Sequence, residues 1–220
     1  VAWVFMDLEM KPVDRQFRHQ WDICRQEVIE FGAVKLGEDL AEIDSFRRLV
    51  KPVYGEIPPR YEQLTGISNA DVADAAEFET VLSAFAAWCA DAETVYAWSG
   101  SDLDQLRGEV RMKDLPFSLT ELAAKWADFQ KIFTRAVGLK RELSLEQAVN
   151  IANISFEGHQ HDALWDARNT AELFRIYRDE KRFNAVIGPL RAAVNPQKQT
   201  SFTLADALGD ALKKLNLPEE

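Results

Sequence analysis

The chain has 220 residues, 47% of them apolar, and a formal net charge of −10. That length allows one sizeable core, and no apolar run approaches the ~20 residues that cross a bilayer, so no membrane association is expected. The negative balance excludes a strong grip on duplex phosphates and favours short-footprint binding. Part of the excess is what an acidic metal site would bring.

The opening run Val1-Ala2-Trp3-Val4-Phe5-Met6 is too short for a signal peptide and lacks a basic lead. Val1–Glu9 reads as a buried strand that ends in acidic residues, and Lys11–Trp21 reads as a polar loop. Arg25–Leu36 holds Val28-Ile29-Glu30-Phe31-Gly32-Ala33-Val34, a second strand; Ser45–Val50 is a third, stopped by Pro52. Three consecutive strands at this spacing predict an antiparallel meander. Cys24 and Cys89, each in an apolar-rich segment, read as buried free thiols of a reducing compartment, here the cytoplasm.

The period then changes. Phe78, Val81, Leu82, Phe85, Trp88 and Cys89 form one stripe of an amphipathic helix. Thr94–Trp98 is a short apolar strand, Asp102–Met112 a helix, and Lys125–Phe129 a fifth strand followed by a helix to Val137. Ser144-Leu145-Glu146-Gln147 is a capping box that opens another helix. His161–Tyr177 is the strongest late helix. Beyond it, Pro189 and Asn195-Pro196 break the chain, and a final helix from about Thr203 carries Leu204, Leu208, Leu212 and Leu215 on one face. The expectation is α/β: a mixed five-stranded sheet, meander first and parallel strands after, flanked by helices. Residues 1–190 make the main domain; residues 191–220 are a linker and helical extension expected to pack on the same domain, with docking of a protein partner as the alternative.

Three groups of residues carry chemistry. Asp7 and Glu9 alternate on a strand, so both point to one face about 6–7 Å apart, within reach of a shared hard cation. His161 and Asp166 stand about 140° apart on a helix and would not share a face if both were helical. A helix beginning at Asp162, a good N-cap, leaves His161 in the preceding loop, free to fold back toward Asp166. Histidine titrates near neutrality and suits a general base beside an activated water. Asp102 follows a buried strand at the sheet's carboxyl end, where a site residue belongs, although plain N-capping would also account for it. Asp104 ranks second because it points about 200° away. His159 competes with His161 but has no aspartate at the same offset. His19 reads as solvated, and Asp128 as a cap with a supporting role open to it. Trp98 and Trp165 flank acidic positions and are candidates to line a nucleotide pocket.

Taken together, Asp7-Leu8-Glu9, Asp102 and His161-x4-Asp166 resemble the DEDDh 3′–5′ exonucleases. So do Ile29-Glu30-Phe31-Gly32-Ala33-Val34, Leu49-Val50-Lys51-Pro52, Leu64-Thr65-Gly66-Ile67 and the run from His161 to Leu173. The order holds from Val1 to about Tyr177. The Phe5-Met6-Asp7-Leu8-Glu9-Met10 form looks closest to short stand-alone enzymes that trim histone mRNA and small RNAs, and to their bacterial sporulation-inhibitor relatives. One departure is Lys11-Pro12, where many members carry a threonine.

The resemblance implies a ribonuclease-H-like fold and hydrolysis of single-stranded RNA or DNA from the 3′ end to 5′-mononucleotides. It implies two ions, Mg²⁺ or Mn²⁺, held by Asp7, Glu9, Asp102 and Asp166, with His161 as base. The alternatives are a non-cutting nucleic-acid or protein-binding module on the same fold, and a proofreading or oligonucleotide-trimming subunit.

Overall fold

A computed structural model describes residues 1–194, with backbone only for 190–194. The expected final helix, its leucine stripe and its docking role lie outside the described residues. In chain order the elements are β1 (Trp3–Pro12), a 3-10 helix (Arg15–Gln20), β2 (Gln26–Leu36), β3 (Glu42–Leu49), α1 (Pro59–Thr65), α2 (Asn69–Val72) and α3 (Phe78–Trp88). Next come β4 (Thr94–Ala97), α4 (Ser101–Met112), α5 (Thr120–Ala124), β5 (Trp126–Asp128), α6 (Phe129–Val137), α7 (Leu145–Ile151), α8 (Ala163–Arg178) and α9 (Glu180–Val194). Among the described residues no helix is long and apolar enough to cross a membrane.

The five strands form one mixed sheet in the order β3-β2-β1-β4-β5. β1 pairs antiparallel with β2, and β2 with β3; β1–β4 and β4–β5 are parallel. The expected meander followed by parallel strands is therefore present. Alternation sends Val4, Met6 and Leu8 into a core shared with Phe78, Val81, Leu82 and Phe85 of α3 and Leu106 of α4. The odd residues of β1, including Phe5, Asp7 and Glu9, must then face the other side of the sheet.

The described residues divide into two compact units, 1–128 with 158–168, and 129–157 with the residues from 169 onward. The whole sheet and all five candidate site residues belong to the first. The second has an aromatic core in which Phe129 lies edge-on to Phe174, with ring centroids 5.7 Å apart, and Tyr177 edge-on to Phe183 at 5.9 Å.

Several expectations need correction. The segment after Glu9 is not a loop. β1 continues through Lys11 and Pro12, paired with Glu27 and Gln26, past a bulge between Glu9 and Met10. Lys11, placed at the start of a polar loop by the sequence, is fully buried, with Nζ 2.8 Å from Glu27 Oε2. Lys113 joins this group, 3.2 Å from Glu27 and 2.8 Å from Glu109. Burial would raise the Glu27 carboxyl, but hydrogen bonds from Lys11 and the Val53 amide, with the Lys113 charge, outweigh it and hold it low. Pro189 does not break the chain either. It lies inside α9, where a proline removes one N–H and crowds one carbonyl without compelling the helix to end. Cys24 and Cys89 are buried and free, as expected.

Candidate active site

The site is assembled from three places in the chain. The first is the middle of β1. In the β1–β2 ladder Asp7 stands opposite Gly32 and Glu9 opposite Glu30, and directly opposed residues share a face. The bulge comes immediately after Glu9, a common device for re-aiming a strand beside a site.

The second is the start of α4. Its N-cap is Gly100, with no side-chain cap, so Asp102 lies in the first turn and is not the capping residue. Asp102 is 4% exposed and accepts a hydrogen bond from the Leu8 amide, which ties it to β1 between the two strand carboxylates. Asp104 points away, exposed, into an ion pair with Arg107 at 3.3 Å.

The third is the corner before α8. The helix starts at Ala163, and Asp162 caps it as expected, its Oδ1 accepting from Leu164 N and Trp165 N at 3.2 Å each. His161 stays outside with φ +62°, and its backbone amide donates to Asp166 Oδ2 at 3.2 Å. The predicted fold-back is thus present. Ligating atoms of Glu9, His161 and Asp166 all lie within 4.8 Å of one another.

What lets α8 approach so closely is Gly32, which the sequence marks only as part of a motif. A Cβ there would stand 2.2 Å from the carbonyl carbon of Ala163 and from Leu164 N. The legible signal was an isolated glycine inside an apolar strand, which often marks close backbone approach. We expect Gly32→Ala to push the start of α8 off the sheet. It should cost ~1–3 kcal/mol in denaturant unfolding and reduce turnover by about 10²-fold through misplacement of Asp166. Wild-type values for both would show that helix and strand do not need this contact.

The electrostatics show that the four carboxylates share one space. Asp7 is pushed well above the ordinary range by burial first, then by the charges of Asp102, Asp166, Glu9 and Glu30. Burial, then the charges of Asp166 and Glu30, raises Glu9 to about 8. Asp102 and Asp166 rise to about 7, burial again leading. Carboxylates crowded this way call for cations, and a set dominated by hard oxygens suits divalent ions.

These shifts make stability depend on pH. The folded pKa values exceed the unfolded ones, so the folded, metal-free protein holds more protons than the unfolded chain between the ordinary carboxylate range and about pH 8. Stability then falls as pH rises. In chelator, Tm should drop by roughly 5 °C or more from pH 5 to pH 8, and a divalent cation should remove most of that drop. A flat profile in chelator would mean that the carboxylates are not crowded.

Other candidates separate cleanly. His19 and His159 are exposed. Trp98 is buried at 7% exposure. Trp165 packs against Gly158 and under Arg168, 4.9 Å from its ring centroid. Asp128 lies near Asp102, whose carboxyl its charge raises, and one of its oxygens is 3.5 Å from where a Gly100 Cβ would stand.

With this geometry in place, likeness to known proteins is decisive. The model of the exonuclease family RNase_T matches residues 4–174. The chain belongs to that family. It is 28% identical over 200 residues to ERI1 exoribonuclease 2 of Danio rerio, covering 80% of this chain and 36% of that protein. It thus spans about a third or less of the curated ERI1 relatives it matches. Among solved structures, the nuclease domain of 3′hExo, a DEDDh family member bound to rAMP, superposes with a TM-score of 0.68 at 21% identity, covering 81% of this chain and 92% of that one. S. pombe Pop2p, in a form with Mg²⁺ and Mn²⁺ bound, gives a TM-score of 0.61 at 17% identity over 82% of this chain and 84% of that one. These neighbours share the ribonuclease-H-like fold of the family.

Proposed function

We propose that this RNase_T-family chain hydrolyses single-stranded nucleic acid from its 3′ end and releases 5′-mononucleotides. One observation carries the reading: the charges of Glu9, Asp102 and Asp166 all bear on Asp7, and a ring nitrogen of His161 lies within 4.8 Å of carboxylate oxygens of Glu9 and Asp166. The name of the Danio rerio relative, an exoribonuclease, supports RNA as the first substrate to try.

Asp7, Glu9, Asp102 and Asp166 would hold two divalent ions, Mg²⁺ or Mn²⁺, which when bound favour ionisation of a water and offset charge on the leaving oxygen. Asp7, on which the charges of Asp102, Asp166 and Glu9 all act, would contribute to holding both ions. The exposed His161 ring takes the proton of the attacking water at a ring nitrogen. The new bond joins that water's oxygen to phosphorus, the P–O3′ bond breaks, and the departing 3′-oxygen gains a proton from solvent. The acidic charge of the chain, −10, fits a short substrate footprint.

We take residues 1–190 as the exonuclease domain, supported by the family match across 4–174. α9 runs to Val194, so a truncation after Val194 that keeps activity checks this extent. The free, buried thiols support a cytoplasmic location, which cell fractionation tests.

The deciding experiment incubates the protein with 5′-labelled single-stranded RNA and DNA in Mg²⁺, Mn²⁺ or chelator. A ladder that shortens from the 3′ end only with metal supports the reading. Binding without shortening under every condition would replace it with a non-cutting module.

A further inference from the structure

We propose that Glu30 and Arg47 are positioning residues that hang the His161–Asp166 corner over the carboxylates of β1, and so govern turnover rather than substrate affinity. The inference rests on the nuclease reading of the site.

Glu30 is opposite Glu9 in the ladder and 0% exposed. A carboxylate kept from water must be paired and hydrogen-bonded. Its Oε1 accepts from Arg47 Nε at 2.7 Å, and its Oε2 accepts from the Ala163 amide at 3.2 Å. With one oxygen on a guanidinium and the other on the first amide of α8, Glu30 is occupied as a support and not offered as a fifth ligand.

Arg47 stands on β3 opposite Gly32 and divides its guanidinium. Nε goes to Glu30, and Nη2 goes to Asp162 Oδ2 at 2.9 Å. Asp162 uses its other oxygen to cap α8. The chain Glu30–Arg47–Asp162 therefore ties the first turn of α8 to two strands, while Gly32 gives that turn room beneath.

The corner needs such a tie. His161 sits in the left-handed region at φ +62°, a conformation that costs a non-glycine residue energy and persists only when its surroundings impose it. On its other side Gly158, at φ +73°, lies so flat on the Trp165 ring that a Cβ would fall 2.1 Å from it. Residues 158–161 are thus gripped at both ends. A lysine at 47 offers one nitrogen and cannot span Glu30 and Asp162 together as a planar fork does.

The test compares Arg47→Gln and Arg47→Lys with Arg107→Gln, whose exposed ion pair with Asp104 is remote from this chain of bonds. Both Arg47 variants should lower kcat by ~10–100-fold with KM within about twofold, lysine giving no rescue, while Arg107→Gln stays at wild-type rates. Calorimetric Mn²⁺ titration without nucleic acid should show about tenfold weaker binding in Arg47→Gln. Should Arg47→Gln fail to fold, Asp162→Asn serves in its place, because asparagine keeps the cap and loses the ion pair. A raised KM with kcat spared would make Arg47 a phosphate contact and overturn the proposal; unchanged kcat and Mn²⁺ affinity would do the same. If the wild-type protein cuts no nucleic acid, the nuclease reading fails, yet the Mn²⁺ titration still decides whether the tie shapes the site.

Discussion

Asp7→Asn is expected to lower 3′-end cleavage by at least ~10³-fold, beyond the ~10²–10³ typical of losing one oxyanion-hole donor, while the protein stays folded. Asparagine keeps the shape of the side chain, so local packing is little disturbed; what disappears is a carboxylate crowded by the charges of Asp102, Asp166 and Glu9. The same change should raise Tm in chelator, because it removes one of four repelling carboxylates from a partly buried site. Loss of activity with a gain in metal-free stability is a signature that a purely structural aspartate cannot produce. Single-turnover cleavage and thermal melts in chelator measure the two halves. An active Asp7→Asn enzyme would dismiss the two-ion scheme.

His161→Ala and His161→Asn should each depress kcat by ~10²–10⁴-fold and leave KM nearly unchanged, as for removal of a general base. Asparagine is the informative partner. It tolerates the left-handed backbone at φ +62° better than most residues, so its failure cannot be put down to strain in the corner. It also bears on the other role open to the imidazole. A ring nitrogen of His161 lies within 4.8 Å of ligand atoms on Glu9 and Asp166, close enough for coordination in some arrangement. If His161 acts as base, Mn²⁺ affinity in His161→Asn stays close to wild type. A tenfold loss of Mn²⁺ binding alongside lost turnover would make it a ligand instead.

Residue type and spacing reveal a site only where the chemistry is local. Asp7 and Glu9 were readable because strand alternation aims both at one face, whatever lies beyond. His161 and Asp166 were readable once Asp162 was recognised as the cap, since a cap sets where helical geometry begins. Asp102 was readable as a position but not as a role: capping and ligation predict the same residue at a helix start. The Gly100 cap shows that Asp102 does not cap the helix, and the Leu8 hydrogen bond shows that it reaches β1. Arg47 as a partner of Asp162 and Glu30 as a partner of the Ala163 amide were invisible, because those pairings join residues 115 and 133 apart in sequence. Lys11 misled for a related reason. A lysine reads as solvated unless its counter-ion is known, and Glu27 is brought to it only by the β1–β2 ladder.

The amino-acid order by itself determined the alternation of strands, the stripe of α3, the caps of α7 and α8, and the kinds of side chain available for metal-dependent hydrolysis. Each arises from dihedral geometry and hydrogen-bond needs within a few residues. The tertiary structure alone decided that four carboxylates from three distant segments come to act on one another, that Gly32 admits a helix backbone against β2, and that Arg47 ties the start of that helix to the sheet. Those outcomes depend on which surfaces become neighbours when apolar area is buried, and burial is non-directional, so local sequence carries little record of it.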